Sequence, residues 1–335
     1  MKRYLIIFFL LLGISKLYSQ GAVNSPAVIF QFIEKSPIMY QFSELKDTIL
    51  PPDRSKNVLE NKYRRIVDGD EIFVIEYDDE IFSNELYILG MSLLNSGNYD
   101  DAASKFKLLY ENFPDFYKAL TLQGLCLLKK GNADDALDLL RDAISENFID
   151  FEAHLLLADL YDEMGLIDVA IRHVLFANII NRNNPEINNK RLEIFKKKGF
   201  SNVEWFFVPQ IKYKASKSDV EMIVKEQYTG YAMAESLWKF DDEYRKTKSD
   251  PDAEINLNRT YECISTHAAA VSRFPMYFDT PEGKCFKAAL ENKMVSEFVY
   301  FEIILPDYPA EALKLSETRI HKIANYIINA RGEVK

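Results

Sequence analysis

Four glycines recur at one fixed interval in this chain of 335 residues. They are Gly97, Gly131, Gly165 and Gly199, and the separation between successive members is the same throughout. A constant interval of this length indicates a repeated supersecondary unit, which stacks on its neighbours because it cannot bury its apolar face alone. The spacing therefore predicts a repeat architecture for the middle of the chain, and such architectures present extended concave binding surfaces.

Alignment on these glycines gives three whole units and a partial fourth, with the bounds 83–116, 117–150, 151–184 and 185–199. In the first unit Leu86, Leu89 and Leu93 have the spacing of one buried stripe on a helix, and a second stripe follows after the glycine. Small residues at Gly90 and Ala102 allow two antiparallel helices to approach closely. Each unit is therefore predicted to be a helical hairpin.

The units resemble the tetratricopeptide repeat, whose signature is W-x2-L-G-x2-Y, then A-x3-F and a closing P within about 34 residues. The first unit follows this signature at Leu86, Leu89, Gly90, Leu93, Ala102, Phe106 and Pro114. The later units depart from it, since Phe148 and Arg182 replace the proline and His154 replaces the opening apolar residue. The resemblance covers roughly residues 83–200 and implies an all-α solenoid of helical hairpins.

The resemblance also implies which side chains line the concave groove, namely the second, fifth, ninth, twelfth and thirteenth residues of each unit. In the first unit these are Asn84, Tyr87, Met91, Leu94 and Asn95. In the second unit they are Lys118, Thr121, Leu125, Leu128 and Lys129. In the third unit they are Glu152, Leu155, Asp159, Asp162 and Glu163.

Charge changes along this predicted groove from neutral, through two lysines, to four carboxylates. A peptide with an acidic end near Lys118 and Lys129 and a basic end near Asp159 and Asp162 would be complementary to it. Relatives that grip the C-terminal carboxylate of chaperone tails use a Lys and Asn set in the first unit. Tyr87 and Met91 occupy those places, so we do not expect that function. In the alternative, the acids are merely solvated, or the C-terminal domain fills the groove.

The N-terminus has the three-part layout of a secretory signal peptide. A basic start, Met1-Lys2-Arg3, precedes an apolar run from Tyr4 to Ile14 and a polar exit from Ser15 to Gln20. The layout predicts cleavage after Ser19 or within residues 20–22, and export to the periplasm, the cell surface or the medium. No cysteine lies nearby, so we do not expect a lipoprotein. An uncleaved membrane anchor is the alternative.

The remaining composition limits the partners and the redox chemistry. A formal net charge of −10 argues against nucleic acid, which requires a basic footprint. The three cysteines, Cys126, Cys263 and Cys285, are too few for a disulfide framework, although a Cys263–Cys285 pair stays open. No later segment is long and apolar enough to cross a membrane. We expect a protein or peptide partner, and the sequence leaves the oligomeric state open.

The flanking regions are less regular than the repeats. We predict the division 1–19 signal peptide, 20–82 N-terminal cap, 83–200 repeats and 201–335 helical C-terminal domain. Ser218 and Glu221 have the spacing of a capping box and predict the start of a helix. Two apolar stretches remain ambiguous between helix and strand, residues 63–80 and 295–305.

Catalytic motifs are not found in this sequence. It has no G-x-S-x-G elbow, no glycine-rich phosphate loop, no H-E-x-x-H and no C-x-x-C, so we expect neither a cofactor nor a metal. The four histidines are dispersed along the sequence, and packing or groove-lining explains His154 and His173 better than ligation. Cys263 and His267 lie one helical turn apart, which a nucleophilic pair would use.

The leading hypothesis is an exported scaffold that binds a protein or peptide in the groove of its repeats and is not an enzyme. The alternative is an enzyme with its site at Cys263 and His267 in the C-terminal domain, and a self-assembling component is a third possibility.

Overall fold

The computed structural model describes residues 23–201 and 203–332. The predicted signal peptide, residues 1–19, lies outside this part of the chain. The strands are β1 Met39–Glu44, β2 Tyr63–Asp68, β3 Glu71–Glu76, β4 Ile211–Ala215 and β5 Asp219–Val224. The helices of the N-terminal half are α1 Pro26–Lys35, α2 Asp79–Phe82, α3 Glu85–Asn95, α4 Tyr99–Asn112, α5 Lys118–Lys129, α6 Ala133–Glu146, α7 Phe151–Glu163, α8 Ile167–Ile180 and α9 Pro185–Lys198.

The later helices are α10 Thr229–Phe240, α11 Asp242–Arg245, α12 Leu257–Val271, α13 Pro281–Glu291, α14 Val295–Phe298, α15 Leu305–Asp307 and α16 Glu317–Tyr326. Two π-helical stretches, Val299–Ile304 and Ile327–Gly332, continue from α14 and α16. The fold class is therefore largely α, as the sequence predicts, with a few short strands added.

The repeats form three helix pairs, α3/α4, α5/α6 and α7/α8, with α9 as the first helix of the partial fourth unit. The recurring glycine follows the first helix of each unit directly or within two residues, at a φ between 74° and 83°. In all four units the N–H of the residue after the glycine donates to a carbonyl in the last turn of the helix, as in Asn98 to Leu93 and Asn132 to Leu127. Glycine adopts this left-handed conformation without a steric penalty, which explains the constant interval.

Close packing inside each hairpin requires a second set of small residues. A Cβ atom on Gly90 would lie 2.6 Å from Cε1 of Phe106, and one on Gly124 would lie 2.9 Å from Cδ2 of Leu140. Phe106 and Leu140 are fully buried on the second helices. The two helices of a pair therefore approach to a distance that only glycine permits at these positions.

Two compact units divide the chain, and each draws on segments distant in sequence. One unit combines the described part of Met1–Leu50 with Val208–Tyr277, and the other combines Pro51–Phe207 with Phe278–Lys335. These units differ from the predicted division at residues 82 and 200. The reason is strand pairing, because β1 lies parallel to β5 with Met39 opposite Asp219.

The compact unit that includes Val208–Tyr277 contains a three-stranded sheet in the order β1-β5-β4. Helices α1, α10 and α12 of this unit pack together, and α10 also packs against β5. The predicted helix start at Ser218 is wrong, since the segment that follows is β5, the central strand. Val220, Met222 and Val224 are buried while the residues between them are half-buried, an alternation of period 2. The helix begins further along, at Thr229.

A fully buried carboxylate, that of Glu262 on α12, links several segments of the same compact unit through hydrogen bonds. It accepts hydrogen bonds from the indole of Trp238, the hydroxyl of Tyr244 and the backbone N–H of Asn24. The ammonium group of Lys248 lies 2.5 Å from it and supplies the opposite charge. A buried charge is tolerated when it is paired and fully hydrogen-bonded, and Glu262 meets both conditions.

In the compact unit that includes Pro51–Phe207, the hairpin of β2 and β3 precedes the repeats, with Ile66 opposite Phe73. The ambiguous segment 63–80 is thus largely strand, whereas 295–305 is helical. From the latter half of the predicted cap, Ile81 and Phe82 pack on a cluster that includes Phe106 and Phe116.

Buried ion pairs attach the end of the chain to the last repeat helix. Arg191 on α9 pairs with Glu204, and Nε of Arg331 lies 3.0 Å from Oε1 of Glu302. Arg331 also donates to the carbonyl of Trp205 and lies 4.4 Å above its ring. Removing one partner of such a pair typically costs about 3–5 kcal/mol because the other charge stays buried.

We predict that Gly90→Ala lowers the free energy of unfolding by about 1–3 kcal/mol, because the added methyl group overlaps the ring of Phe106. Urea titration followed by circular dichroism measures this change. The matched control is Gly90→Ala combined with Phe106→Leu, which removes the overlap and should lose less than the sum of the two single changes. Unchanged or increased stability in Gly90→Ala would contradict the close approach of α3 and α4.

Candidate partner-binding surface

The predicted groove residues of the first unit lie on α3 and partly serve its own packing. Asn84 caps the helix by accepting a hydrogen bond from the N–H of Leu86. The ring of Tyr87 meets that of Phe82 edge to face, with 5.3 Å between the centroids. Met91 is half-buried and Asn95 is exposed at the helix end. This end of the predicted surface is therefore apolar in its middle and polar at its rim.

In the second repeat, some of the lining side chains of α5 bind other parts of the chain, and others remain accessible to solvent. Thr121 is buried and donates to Oδ2 of Asp150 over 2.6 Å. Lys118 lies 3.2 Å from Glu152 and also donates to the carbonyl of Asn61. Leu125 is half-buried and Lys129 is exposed. Of the two lysines in the predicted gradient, Lys129 is thus the more accessible.

Two acidic side chains of the third unit, Asp159 and Asp162, are paired within the repeats. Lys190 on α9 lies 2.7 Å from Asp159 and 3.2 Å from Asp162. Lys197, also on α9, lies 2.7 Å from Asp162. Burial raises the pKa of Asp162, but the hydrogen bonds from these two lysines outweigh it and hold that pKa below its usual range. The partial fourth unit therefore supplies the positive charge that the sequence-based prediction assigned to a partner.

Two asparagines missed in the sequence analysis bind an extended part of the same chain. Asn147 and Asn181 end α6 and α8 at equivalent places in successive units. Asn181 accepts from the N–H of Leu59 and donates to its carbonyl, at 3.0 and 2.9 Å. Asn147 donates to the carbonyl of Tyr63 and accepts from the N–H of Arg65. The recurrence of asparagine at the same interval as the glycines was the available sequence signal.

Further polar contacts continue this line along the ends of the helices. The amide group of Asn61 donates to Asp150 over 2.7 Å, and Asn183 donates to the carbonyl of Asn57 over 3.0 Å. Together with the two asparagines, Asp150, Lys118 and Asn183 form what we call the asparagine edge. The stretch that it holds, residues 57–65, is called the edge segment.

Three of the four histidines lie together, which corrects the impression of dispersed histidines. Nδ1 of His154 is 3.1 Å from Nδ1 of His173, and His173 stacks on Tyr161. The ring of His321 meets that of Phe176, which also contacts His154 and His173. Within the described residues no group of three or more His, Cys, Asp or Glu side chains is placed to hold a metal ion.

Burial keeps His154 and His173 neutral. Desolvation, helped by the neighbouring His173, lowers the pKa of His154 to about 3. Desolvation and then Arg172 and Arg141 lower the pKa of His173 to about 4. His154 is thus a buried residue of the core, and His173 is a half-buried residue beside it.

The alternative catalytic pair does not have the electrostatics that a nucleophile needs. Burial raises the pKa of Cys263 well above its usual value, and burial lowers the pKa of His267 to about 3. A reactive cysteine requires a lowered pKa, since the thiolate is the attacking species. Cys263 and Cys285, whose pairing was left open, are both buried free thiols, as is Cys126.

The described helices include none that is both long and apolar enough to cross a bilayer. Residues 87–150 match the family model of the tetratricopeptide repeat. Comparison with curated proteins gave no match.

Several solved structures are similar to parts of the chain. The Yersinia enterocolitica type III secretion chaperone SycD, in complex with a peptide of the translocator YopD, is 20% identical and has a TM-score of 0.32, with 36% of this chain and 96% of that chain covered. TTC0263, a thermophilic TPR protein from Thermus thermophilus, is 16% identical at a TM-score of 0.31, covering 63% and 96%. A tetratricopeptide repeat protein from Parabacteroides merdae ATCC 43184 is 15% identical at a TM-score of 0.32, covering 75% and 100%.

We predict that stability falls as the pH decreases from about 6.5 to 5. The unfolded chain binds protons on His154 and His173 near pH 6.5, whereas the folded chain excludes them until pH 4 or below. Each of these histidines therefore lowers the free energy of unfolding by up to about 1.4 kcal/mol for each pH unit of decrease within this window. Urea unfolding at pH 7.5, 6 and 5 measures the slope.

His173→Phe retains an aromatic ring against Tyr161 and removes one titrating group, so its slope should be smaller than that of the unaltered chain. The interval from pH 7.5 to 8.5, where neither histidine titrates in either state, is the control. Equal stability at pH 7.5 and 5 in the unaltered chain would contradict a buried neutral cluster.

Proposed function

The chain carries tetratricopeptide repeats, and we propose that it is a scaffold that binds a protein or peptide on the first helices of those repeats. The observation that carries this proposal is the exposure of the predicted lining residues. With the exceptions of Thr121 and of the Asp162 side chain, which is 5% exposed, the candidate positions keep some solvent exposure after the unit has folded. Residues that only stabilised the stack would be expected to be buried within it.

The chemistry of these positions supports a polypeptide partner. Tyr87, Met91 and Leu125 are half-buried, and Asn95 and Lys129 are exposed beside them. Apolar residues surrounded by polar ones are typical of a protein interface, whose centre excludes water while its rim stays hydrated. Tetratricopeptide repeats are typically interaction modules without catalytic activity, which favours a scaffold over an enzyme.

The charges on this surface no longer favour the basic end of the partner that the sequence predicts near Asp159 and Asp162. Asp159 and Asp162 are paired with Lys190, so a basic segment gains little there. Lys129 is exposed and retains its attraction for an acidic group. We therefore propose a partner segment with an apolar residue for Leu125 and a carboxylate near Lys129.

A photo-reactive amino acid placed at Leu125 or Lys129 should cross-link to a discrete partner in cells that produce the protein. The matched control is the same amino acid at Lys107, an exposed position on the second helix α4. Gel shift and mass spectrometry identify the adducts. In addition, Lys129→Glu should reduce the adduct formed from position 125, whereas Lys107→Glu should not.

The same set of adducts from positions 125, 129 and 107 would contradict a binding surface on the first helices. Both glutamate variants change an exposed lysine, so thermal unfolding should leave them within about 0.5 kcal/mol of the unaltered chain.

We also propose that the chain is exported, on the support of its N-terminal sequence alone. The basic start and the apolar run from Tyr4 to Ile14 favour recognition as a signal peptide. An apolar run of this length is shorter than a membrane-spanning helix requires. The groove would then meet its partner in the periplasm, at the cell surface or outside the cell.

Mass spectrometry of the protein recovered from the producing cells tests export. Cleavage should leave an N-terminus between residues 20 and 23, and Leu10→Arg, which interrupts the apolar run, should abolish it. Leu50→Arg alters an exposed leucine far from this run and serves as the control. Recovery of the uncleaved chain in the membrane fraction would favour the anchor instead.

A further inference from the structure

Most hydrogen bonds between the asparagine edge and the edge segment go to the main chain of the segment, and the side chain of Asn61 is the exception. Asn181 pairs with both backbone groups of Leu59, and Asn147 pairs with the carbonyl of Tyr63 and the N–H of Arg65. Lys118 reaches the carbonyl of Asn61 over 3.0 Å. Backbone groups are common to every polypeptide, so most of these contacts do not depend on which sequence lies on the edge.

The residues leading into this segment bury little apolar surface. Residues 51–60 are mostly exposed, with only Arg54, Val58 and Leu59 half-buried. Asn61 is buried, and strand pairing begins at Tyr63, the first residue of β2. Arg65 adds a hydrogen bond to the carbonyl of Leu315 and lies 5.6 Å from the ring of Phe148. A stretch with few buried contacts opens locally at low cost, while the rest of the fold stays intact.

The asparagine edge, by contrast, is built into the repeats and its central side chains are buried. Asn147 is 2% exposed, Asp150 1% and Asn181 0%. When residues 57–61 leave, Asn181 loses both of its contacts to Leu59 and Asp150 loses the amide of Asn61, and a second extended chain can satisfy these groups in the same way. Phe113 holds the equivalent position in the first unit, so the pattern is confined to the second and third units.

We propose that the asparagine edge is a binding site for an extended segment of a partner polypeptide, and that residues 57–61 occupy it in the free protein as an internal competitor. This inference rests on the proposed function and assigns it a second surface. The partner is recognised through its main chain, with a side-chain preference for a small amide at the place of Asn61, next to Asp150.

Hydrogen exchange on the unaltered protein tests whether the segment opens. The amide of Leu59 should exchange at least about 100-fold faster than that of Leu157, which lies in the buried face of α7. Exchange of both amides at one rate, through unfolding of the whole unit, would overturn the proposal.

Binding in trans tests whether the edge accepts another chain. The probe is a fluorescein-labelled peptide of residues 55–63, titrated by anisotropy against the full chain and against Leu59→Pro, which removes the N–H that donates to Asn181. The peptide should bind Leu59→Pro at least about tenfold more tightly than it binds the unaltered chain, because the internal competitor is weakened.

Two N-methylated peptides provide the matched control. Methylation at Leu59 removes the donor to Asn181 and should abolish binding, whereas methylation at Glu60, whose residue is exposed, should not. Equal affinity of the two peptides, equal affinity for both proteins, or no binding to either protein would each overturn the proposal.

The peptide titration and the cross-linking experiment test the asparagine edge and the groove independently. Cross-linking from Leu125 and Lys129 does not require the edge, so intact groove adducts with a negative peptide titration would reject the asparagine edge alone. Loss of the groove adducts with a positive titration would reject the groove and leave the edge.

Discussion

The left-handed turn at the recurring glycines is the constraint on which the rest of the repeat region depends. It ends the first helix of each unit in the same geometry and returns the chain along the same path, so that every second helix meets the first at Gly90, Gly124 or their equivalents. Because the path is the same in each unit, equivalent side chains fall in line along the stack. Both candidate surfaces, the groove and the asparagine edge, are products of that alignment.

The two surfaces differ in how they use the alignment. Along the groove the residue type varies from unit to unit, from Met91 to Leu125 to Asp159, so the binding proposed there would depend on the side chains of the partner. Along the edge the residue type is retained in two units, at Asn147 and Asn181, and the contacts go to the main chain. The two proposed surfaces, one selective for side chains and one tolerant of sequence, would thus lie on the same stack.

The repeats, the helix pairs and the largely helical class were predictable because they follow from local spacing. The pairing of Asp159 with Lys190 was not, since it depends on how the fourth unit packs on the third. Strand β5 was taken for a helix because Ser218 and Glu221 have capping spacing, while its alternation of period 2 is confined to one short strand. Its partner strand β1 is encoded far upstream, and no local pattern links the two. The asparagine edge had a detectable repeat signal, but the chain it holds is irregular and gave none.

The parallel pairing of Met39 with Asp219 has a consequence for the order of folding. Strand β5, the middle strand of that sheet, is synthesised long after its neighbour β1. Strand β1 therefore stays unpaired while the helical hairpins between the two strands are synthesised. Hairpins of adjacent helices form quickly because their contacts are local, whereas a pairing across so long a loop forms slowly. The repeat region is thus expected to be structured first, and the sheet to be completed last, once β5 has been synthesised.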